Sequence, residues 1–282
     1  MIHVAGSPLQ ESGNWPAGSI ESMIIQLMVN SPYMYTYRSM ESLAFELKLR
    51  KNIVSSARQM EQSGVSFATF AETYVNPRYW TMNEFGGIQL RADARPSAAI
   101  RDIYTNGSDY GFECAGAMLI IYYHAALNVF GEATFNRIFP NLYIYSWHAD
   151  TDLGLSPIQT SAFLPGDVVY FENPDFDPRA SQWRGENAVV LGDGLYFGHG
   201  IGILSAEKMI ESLNRKRRPG AFQSAYLSHT VVRPNFQYLE RFARQRAFAA
   251  VKYQSVVITH NEDSISLIRY RLFLSMVYNG GQ

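Results

Sequence analysis

The stretch Tyr110-Gly111-Phe112-Glu113-Cys114-Ala115-Gly116-Ala117-Met118-Leu119-Ile120 decides how the rest of the chain is read. A polar, turn-prone run, Asn106-Gly107-Ser108-Asp109, precedes it. An apolar run continues it through Ile121, Tyr122, Tyr123, Ala125, Ala126, Leu127 and Val129. That order reads as loop, helix start and buried helix. Cys114, the sole cysteine, then sits in the first turn of a core helix. Free N–H groups and the positive end of the helix dipole favour a thiolate there. A small core filler is the other reading, because free cysteine is among the most buried residue types. The stretch by itself leaves both open.

Upstream, Ser19 caps a short apolar helix from Ile20 to about Val29, which ends before Asn30-Ser31-Pro32. A second helix has Met40, Leu43, Ala44, Leu47, Val54 and Ala57 on one face, with Glu46 and Arg50 able to pair on another. Phe67, Phe70 and Tyr74 follow at helix-compatible spacing, as an aromatic wall or as core packing. Strand-like Asn76–Trp80, a turn between two strands at Glu84–Ile88 and a short helix Ala98–Tyr104 lead to the cysteine loop.

Downstream, Asn141–Tyr145 alternates like a strand. His148, in Trp147-His148-Ala149-Asp150, is either a site-lining residue or a loop histidine in solvent. Leu164-Pro165-Gly166-Asp167 turns into a buried-type strand, Val168–Phe171. The acidic loop Asn173–Pro178 lacks a full calcium ligand set. Arg215–Arg218 reads as a solvated helix C-terminus or a docking patch for an acidic protein. The tail is Arg- and aromatic-rich beyond Phe236, then strand-like at Ser255–Thr259 and Ser264–Phe273.

The informative downstream segment runs from Trp183 to Gly200, where two strand-type runs flank Gly192-Asp193-Gly194. This is a hairpin signal. With Gly192-Asp193 as the turn, Glu186 faces His199. With Asp193-Gly194, His199 faces Ala188 and Glu186 is its diagonal neighbour on the same face. A three-residue loop without a bulge separates them. An acid and a histidine on one hairpin face, with a cysteine at a helix start, form a cysteine-nucleophile constellation.

Composition bounds the class. The chain has 282 residues, 47% of them hydrophobic and 17% charged, enough for one large domain. A formal net charge of −1 argues against a nucleic-acid surface as the main function. One cysteine excludes an intrachain disulfide framework and a multi-cysteine zinc site. The start, MIHVAGSPLQ, lacks the pattern of a secretory signal, and no apolar run is long enough to span a bilayer. A soluble, cytoplasmic protein is expected.

Several motifs together resemble one family. YGFECAGAMLIIYY (110–123), NPDFDPRASQWRGENAVVLGDGLYFGHGIGIL (173–204) and GAFQSAYL (220–227) are similar to the bacterial spore-coat transglutaminases, the protein-glutamine gamma-glutamyltransferases of endospore formers. FELKLRKNIVSSA (45–57) and PSAAIRDI (96–103) resemble them too. The resemblance runs from about Tyr35 to about Val232. It implies an α+β, NlpC/P60-like (papain-related) single domain, with a nucleophile helix packed on an antiparallel sheet. The catalytic domain is expected over 1–240, followed by an extension, 241–282, of unassigned role packed on the same domain. LPGDVVYF (164–171) is itself similar to an NlpC/P60 strand motif, but Glu186 stands where such peptidases carry the catalytic histidine.

The resemblance implies catalysis by Cys114, Glu186 and His199; Glu186 is expected nearer the thiol, with His199 supporting it or sharing the proton. Glu113 is an auxiliary acid or a helix cap, and Asn187 an auxiliary residue. Phe67, Trp147 and Trp183 are candidate channel walls, or else core. Amides at the helix start, including that of Cys114, are expected to hold the oxyanion. The implied enzyme is calcium-independent, uses no cofactor or metal and acts as a monomer. Its substrates are spore-coat proteins carrying Gln and Lys, with no nucleic acid or membrane partner. Its place is the mother-cell cytoplasm during sporulation and then the spore coat. The alternatives are an NlpC/P60-type cysteine peptidase or amidase and a catalytically idle coat scaffold.

Overall fold

A computed structural model of the chain describes residues 1–9, 15–244 and 256–279. Its axis is the helix Cys114–Phe130, buried at every residue from Cys114 to Leu127. A helix that is apolar all round has to be enclosed in this way. The helix Met40–Gln62 packs along it, and the strand Gly185–Gly192 lies against both.

That strand belongs to a six-stranded antiparallel sheet. Its order in space is Gly202–Ser205, Leu195–Gly198, Gly185–Gly192, Val168–Glu172, Tyr226–Arg233 and Ser156–Gln159. One face carries Val168, Val189 and Leu191 into the main core with the cysteine helix. The other buries Val169, Phe171, Ala188 and Val190 against Met209 and Leu213 of the helix Ala206–Asn214. The architecture is mixed α and β with antiparallel sheets, as expected.

The helix Met40–Gln62 is joined to the sheet by charge. Arg50 is fully buried and donates to Asp167 Oδ1 at 2.9 Å, to the Pro165 carbonyl at 3.0 Å and to Glu46 at 2.8 Å. Arg233 reaches the other Asp167 oxygen at 2.7 Å. Glu46 and Arg50 do pair, but toward the interior. Gly166 (φ +87°) passes close enough that an added Cβ would lie 3.2 Å from the Arg50 Cα.

Three expectations fail. The strand-like run Asn76–Trp80 is a turn that reaches a strand only at Trp80, in Trp80–Met82. Phe67, Phe70 and Tyr74 share no helix. Ser66–Phe67 is a short strand paired in parallel with Gly111–Phe112, and Phe70–Glu72 is one 3₁₀ turn. Pairing to the cysteine loop outweighs the local spacing. The tail from Leu267 to Asn279 is a helix and not a strand. Leu267 and Tyr270 are buried, and Phe273 and Leu274 pack on the core, which is a helical period. Residues 256–260 form no strand, and Ser255 lies outside the described residues.

Candidate active site

Cys114 opens its helix and is completely buried. Glu113 is the N-cap. Its carboxylate accepts from the Ala115 amide at 2.8 Å and the Gly116 amide at 2.6 Å. Of the two roles open to Glu113, the structure therefore displays the cap. The Ala115 and Gly116 amides are thereby occupied, which leaves the Cys114 amide alone of those expected to hold an oxyanion.

The hairpin departs from both simple counts. Asp193 (φ +52°) and Gly194 (φ +73°) make the two-residue turn, and Gly192 pairs with Leu195. The register then shifts between Val190 and Gly192, so that Val190 pairs with Tyr196 and Ala188 with Gly198. Counting outward from that last pair, His199 stands opposite Asn187, and Glu186 opposite Gly200. The bulge at Leu191 adds one residue to one strand, and a slip of one sends side chains to opposite faces.

Glu186 and His199 therefore meet through backbone. The Glu186 carboxyl takes the Gly200 amide at 3.2 Å and also the His199 amide. It fits because residue 198 is glycine: a Cβ there would sit 2.8 Å from Glu186 Cγ. The His199 ring turns away. Its Nε2 is 3.2 Å from the Ser66 carbonyl, and the ring stacks on Phe112 at 5.3 Å. Burial pushes the His199 pKa down to about 4.

The side chain that touches the sulfur is Asn187, whose Nδ2 lies 3.2 Å from Sγ. The same Nδ2 donates to the Ile265 carbonyl at 2.9 Å, and Trp147 Nε1 donates to that carbonyl at 2.9 Å. The Tyr170 hydroxyl donates to the neighbouring Ser264 carbonyl at 2.9 Å. Phe67 stacks on Trp183 at 5.9 Å, and an added Cβ at Gly200 would lie 3.3 Å from Phe67. Trp147 and the Phe67–Trp183 pair thus border different parts of the site. Tyr170, Ser264 and Ile265 were not singled out from the sequence. The polar turn Asn261–Ser264 ahead of an apolar run is the signal that marks Ser264 and Ile265.

Electrostatically the site is a cluster of reluctant acids. The Cys114 pKa lies well above that of an ordinary thiol, through burial first, then the Glu186 carboxylate, then Glu113. The helix dipole does not make a resting thiolate here. Burial raises Glu186 to about 8, against the Gly200 and His199 amides. It raises Glu113 to about 7, against the amides of Ala115, Gly116 and Ser264. Glu186 Oε2 is buried with no hydrogen-bond partner among the described residues.

The remaining candidates have other occupations. His148 is half-buried, with Nδ1 3.4 Å from the Tyr270 hydroxyl. Asp175, in the acidic loop, binds Arg218 and the amides of Phe222 and Gln223. Lys216 lies over Trp183, and Arg217 bonds the carbonyls of Asn214 and Gln223, so the basic run is largely engaged. Among the described residues, no group of three or more His, Cys, Asp or Glu side chains is placed to hold a metal ion. No helix of theirs is long and apolar enough to cross a membrane.

Comparison with known proteins shows the family. A protein-glutamine gamma-glutamyltransferase family model matches residues 1–243. A protein of that name from Halalkalibacterium halodurans (strain C-125) is 47% identical over 275 residues, 97% of each chain. One from Bacillus subtilis (strain 168) is 43% identical over 249 residues, 86% of this chain and 100% of its own. A solved structure described as a transglutaminase from Geobacillus stearothermophilus, without C-terminal extension, superimposes with a TM-score of 0.71. It is 46% identical and covers 74% of this chain and 100% of its own. The chain belongs to the protein-glutamine gamma-glutamyltransferase family, and its function is acyl transfer from protein glutamine.

Proposed function

We propose that Cys114 is the nucleophile of this transfer and Glu186 the group that exchanges its proton. One observation carries the reading: the sole cysteine opens a buried helix, its sulfur touched by Asn187 and with the adjoining buried Glu186 raising its pKa more than any other charged group. A carboxyl near pKa 8 is a far better match to a thiol than an ordinary one. Glu186 takes the thiol proton as sulfur attacks the carboxamide carbon of a protein-bound glutamine. The carboxyl returns that proton to the leaving ammonia, and a thioester remains. A lysine amine of a second protein then adds, its proton passes to Glu186 and on to the departing sulfur, and a γ-glutamyl-ε-lysine isopeptide results.

Glu113 fixes the helix start and is the second carboxyl of the cluster. His199 is a positioning residue, holding Glu186 through its amide and the turn through its ring. Phe67, Trp147 and Trp183 wall the site and keep water from the thioester. The fold is NlpC/P60-like and papain-related, supported by the helix-on-antiparallel-sheet arrangement and the LPGDVVYF strand. The catalytic domain is taken over 1–240 with the extension 241–282 packed on it, although the helix Phe236–Arg244 runs across that boundary. No step calls for calcium or a cofactor, and the enzyme is taken as a monomer. The substrates are spore-coat proteins, met in the sporulating mother cell and then on the coat. The Bacillus relatives support that setting.

The test is incorporation of a fluorescent primary amine into a glutamine-bearing protein, using a preparation whose thiol reacts with iodoacetamide. Incorporation lost in Cys114→Ala and cut at least a hundredfold in Glu186→Gln is expected. Full activity in Glu186→Gln, with His199→Ala inactive, would put the base at His199. Cleavage of cell-wall peptides without amine incorporation would return the site to a peptidase.

A further inference from the structure

The chain's own tail closes the thiol. Asp263, Ser264 and Ile265 are buried, and their contacts run to the site described above. The Phe70 amide donates to Asp263 Oδ1 at 2.8 Å. The Ser264 amide acts on Glu113, its carbonyl takes the Tyr170 hydroxyl, and its hydroxyl lies near enough to the sulfur to lower the thiol pKa. The Ile265 carbonyl is held by Asn187 Nδ2 and Trp147 Nε1, each at 2.9 Å, and that Nδ2 also touches Sγ.

We infer that Trp147 and Asn187 are the oxygen-binding pair for the substrate carboxamide, and that residues 260–267 occupy this pair as a built-in, removable competitor. The inference rests on reading Cys114 as the nucleophile and adds what receives the oxygen and what keeps substrate out. An acyl-transfer site needs two donors about 2.7–3.1 Å from the developing oxyanion. The amides of Ala115 and Gly116 are taken by Glu113. Trp147 Nε1 and Asn187 Nδ2 are aimed at one carbonyl oxygen beside the sulfur, and in this structure the oxygen belongs to Ile265.

The segment is built to leave. Ser264 holds a left-handed backbone (φ +54°), which is strained for serine, and its buried Oγ makes no hydrogen bond of good geometry among the described residues. Glu262 is clamped at the rim by Arg184 and Arg269. The helix that follows is anchored by Leu267 and Tyr270, while Leu272, Met276, Val277 and Tyr278 face solvent. The strained residue, and a following helix that keeps one side in solvent, are what favour opening of this otherwise well-bonded segment. The segment also lies beyond residue 243, where the family match ends, so it is an addition to the shared core. The Halalkalibacterium relative, aligned over 97% of this chain, extends into it.

Cys114 is the only thiol, so iodoacetamide labelling read by intact mass reports access without any substrate. Glu262→Lys breaks the rim clamp and leaves the core intact. Ile265→Asp puts a charge where the segment is buried. Labelling at least tenfold faster than in the full natural chain is expected for both, with the main melting transition retained. If Ile265→Asp does not fold, Glu262→Lys decides. A synthetic peptide of residues 258–268 should slow labelling of Glu262→Lys. It should also raise KM for the glutamine donor without lowering kcat. Trp147→Phe in that background should lower kcat at least tenfold, weaken the peptide's effect and leave peptide-free labelling unchanged. Equal labelling of the full chain and Glu262→Lys would overturn the competitor. Unchanged kcat in Trp147→Phe would overturn the oxygen-binding pair. Faster labelling with no amine incorporation in any variant would uphold the competitor and refute Cys114 as the transfer nucleophile.

Discussion

Relative to the natural chain, Glu186→Gln should gain stability as pH rises from 4.5 to about 8, while removing the chemistry. The carboxyl has an ordinary value of 4.5 and is raised to about 8 by burial. Below 4.5 both the folded and unfolded chains hold the proton, and burial of the acid costs nothing extra. Between 4.5 and 8 the unfolded chain has released the proton while the folded chain keeps it. Folded-state stability therefore falls as pH rises through that window and stays at its lower level above it. At about 1.4 kcal/mol per pH unit, the loss is at most about 5 kcal/mol. Glu113 and Cys114 titrate in the same cluster and share the strain, so about 2–3 kcal/mol is the expected portion.

Glutamine cannot ionise, and its carbonyl oxygen still accepts the Gly200 and His199 amides. Its new NH₂ takes the place of an oxygen that already lacks a partner, a fixed cost of about 1–3 kcal/mol that does not vary with pH. The quantity to measure is thus the difference between two differences: variant minus natural chain, at about pH 8 minus about pH 5. Urea unfolding at both pH values should give about 2–3 kcal/mol in the variant's favour. Amine incorporation by the variant, in the Glu262→Lys background, should fall at least a hundredfold. A stability difference independent of pH would mean that Glu186 is an ordinary carboxylate in the folded chain, and the argument for it as base would collapse.

Other perturbations read other parts of the molecule. Asp167→Ala leaves the fully buried Arg50 guanidinium without its best partner, and a loss of about 3–5 kcal/mol in urea unfolding is expected. Gly198→Ala places a Cβ 2.8 Å from Glu186 Cγ; it should cost about 1–3 kcal/mol and at least tenfold in amine incorporation, and full activity would contradict the placement of Glu186. Glu113→Gln weakens a cap at a buried helix start, so a melting shift equivalent to about 1 kcal/mol is expected, with activity reduced less than in Glu186→Gln. In the full chain, iodoacetamide labelling of Cys114 should climb with pH beyond the range of an exposed thiol, because burial and two carboxylates hold its pKa up.

The cysteine helix was legible because burial on all sides leaves one long apolar run, and the polar loop before it marks the start. The sheet strands were legible for the same reason, being apolar runs between turn residues. The hairpin turn itself was one of two allowed by Gly192-Asp193-Gly194. The register was not legible. A bulge at Leu191 is decided by how the strand fits its neighbours, and nothing in Val190-Leu191-Gly192 announces it. That single residue moved the histidine ring off the acid and put Asn187 at the sulfur. Arg50 looked like half of a surface pair because its partner Asp167 is far away in sequence. The tail looked strand-like because its Tyr and Phe residues favour strands. Its helical period appears only against the surface it packs on.

The closed site also explains why its acids are so weak. Glu113, Cys114 and Glu186 share one buried volume, with raised Asp263 beside Glu113 and few compensating cations. Each negative charge admitted there makes the next harder to form. A dry pocket suits the thioester, which must outlast water long enough to meet a lysine. The same dryness keeps the resting sulfur protonated and unreactive. Withdrawal of residues 260–267 changes both conditions together. It frees the donors Trp147 and Asn187 for a new oxygen and lets the cluster reach the charge that attack requires. When a glutamine side chain replaces the segment, its carboxamide brings the oxygen that the donors lost, and the pocket is dry again with the reacting carbon beside the sulfur. Exclusion of water and presentation of substrate are then one event, made by exchanging one carbonyl for another.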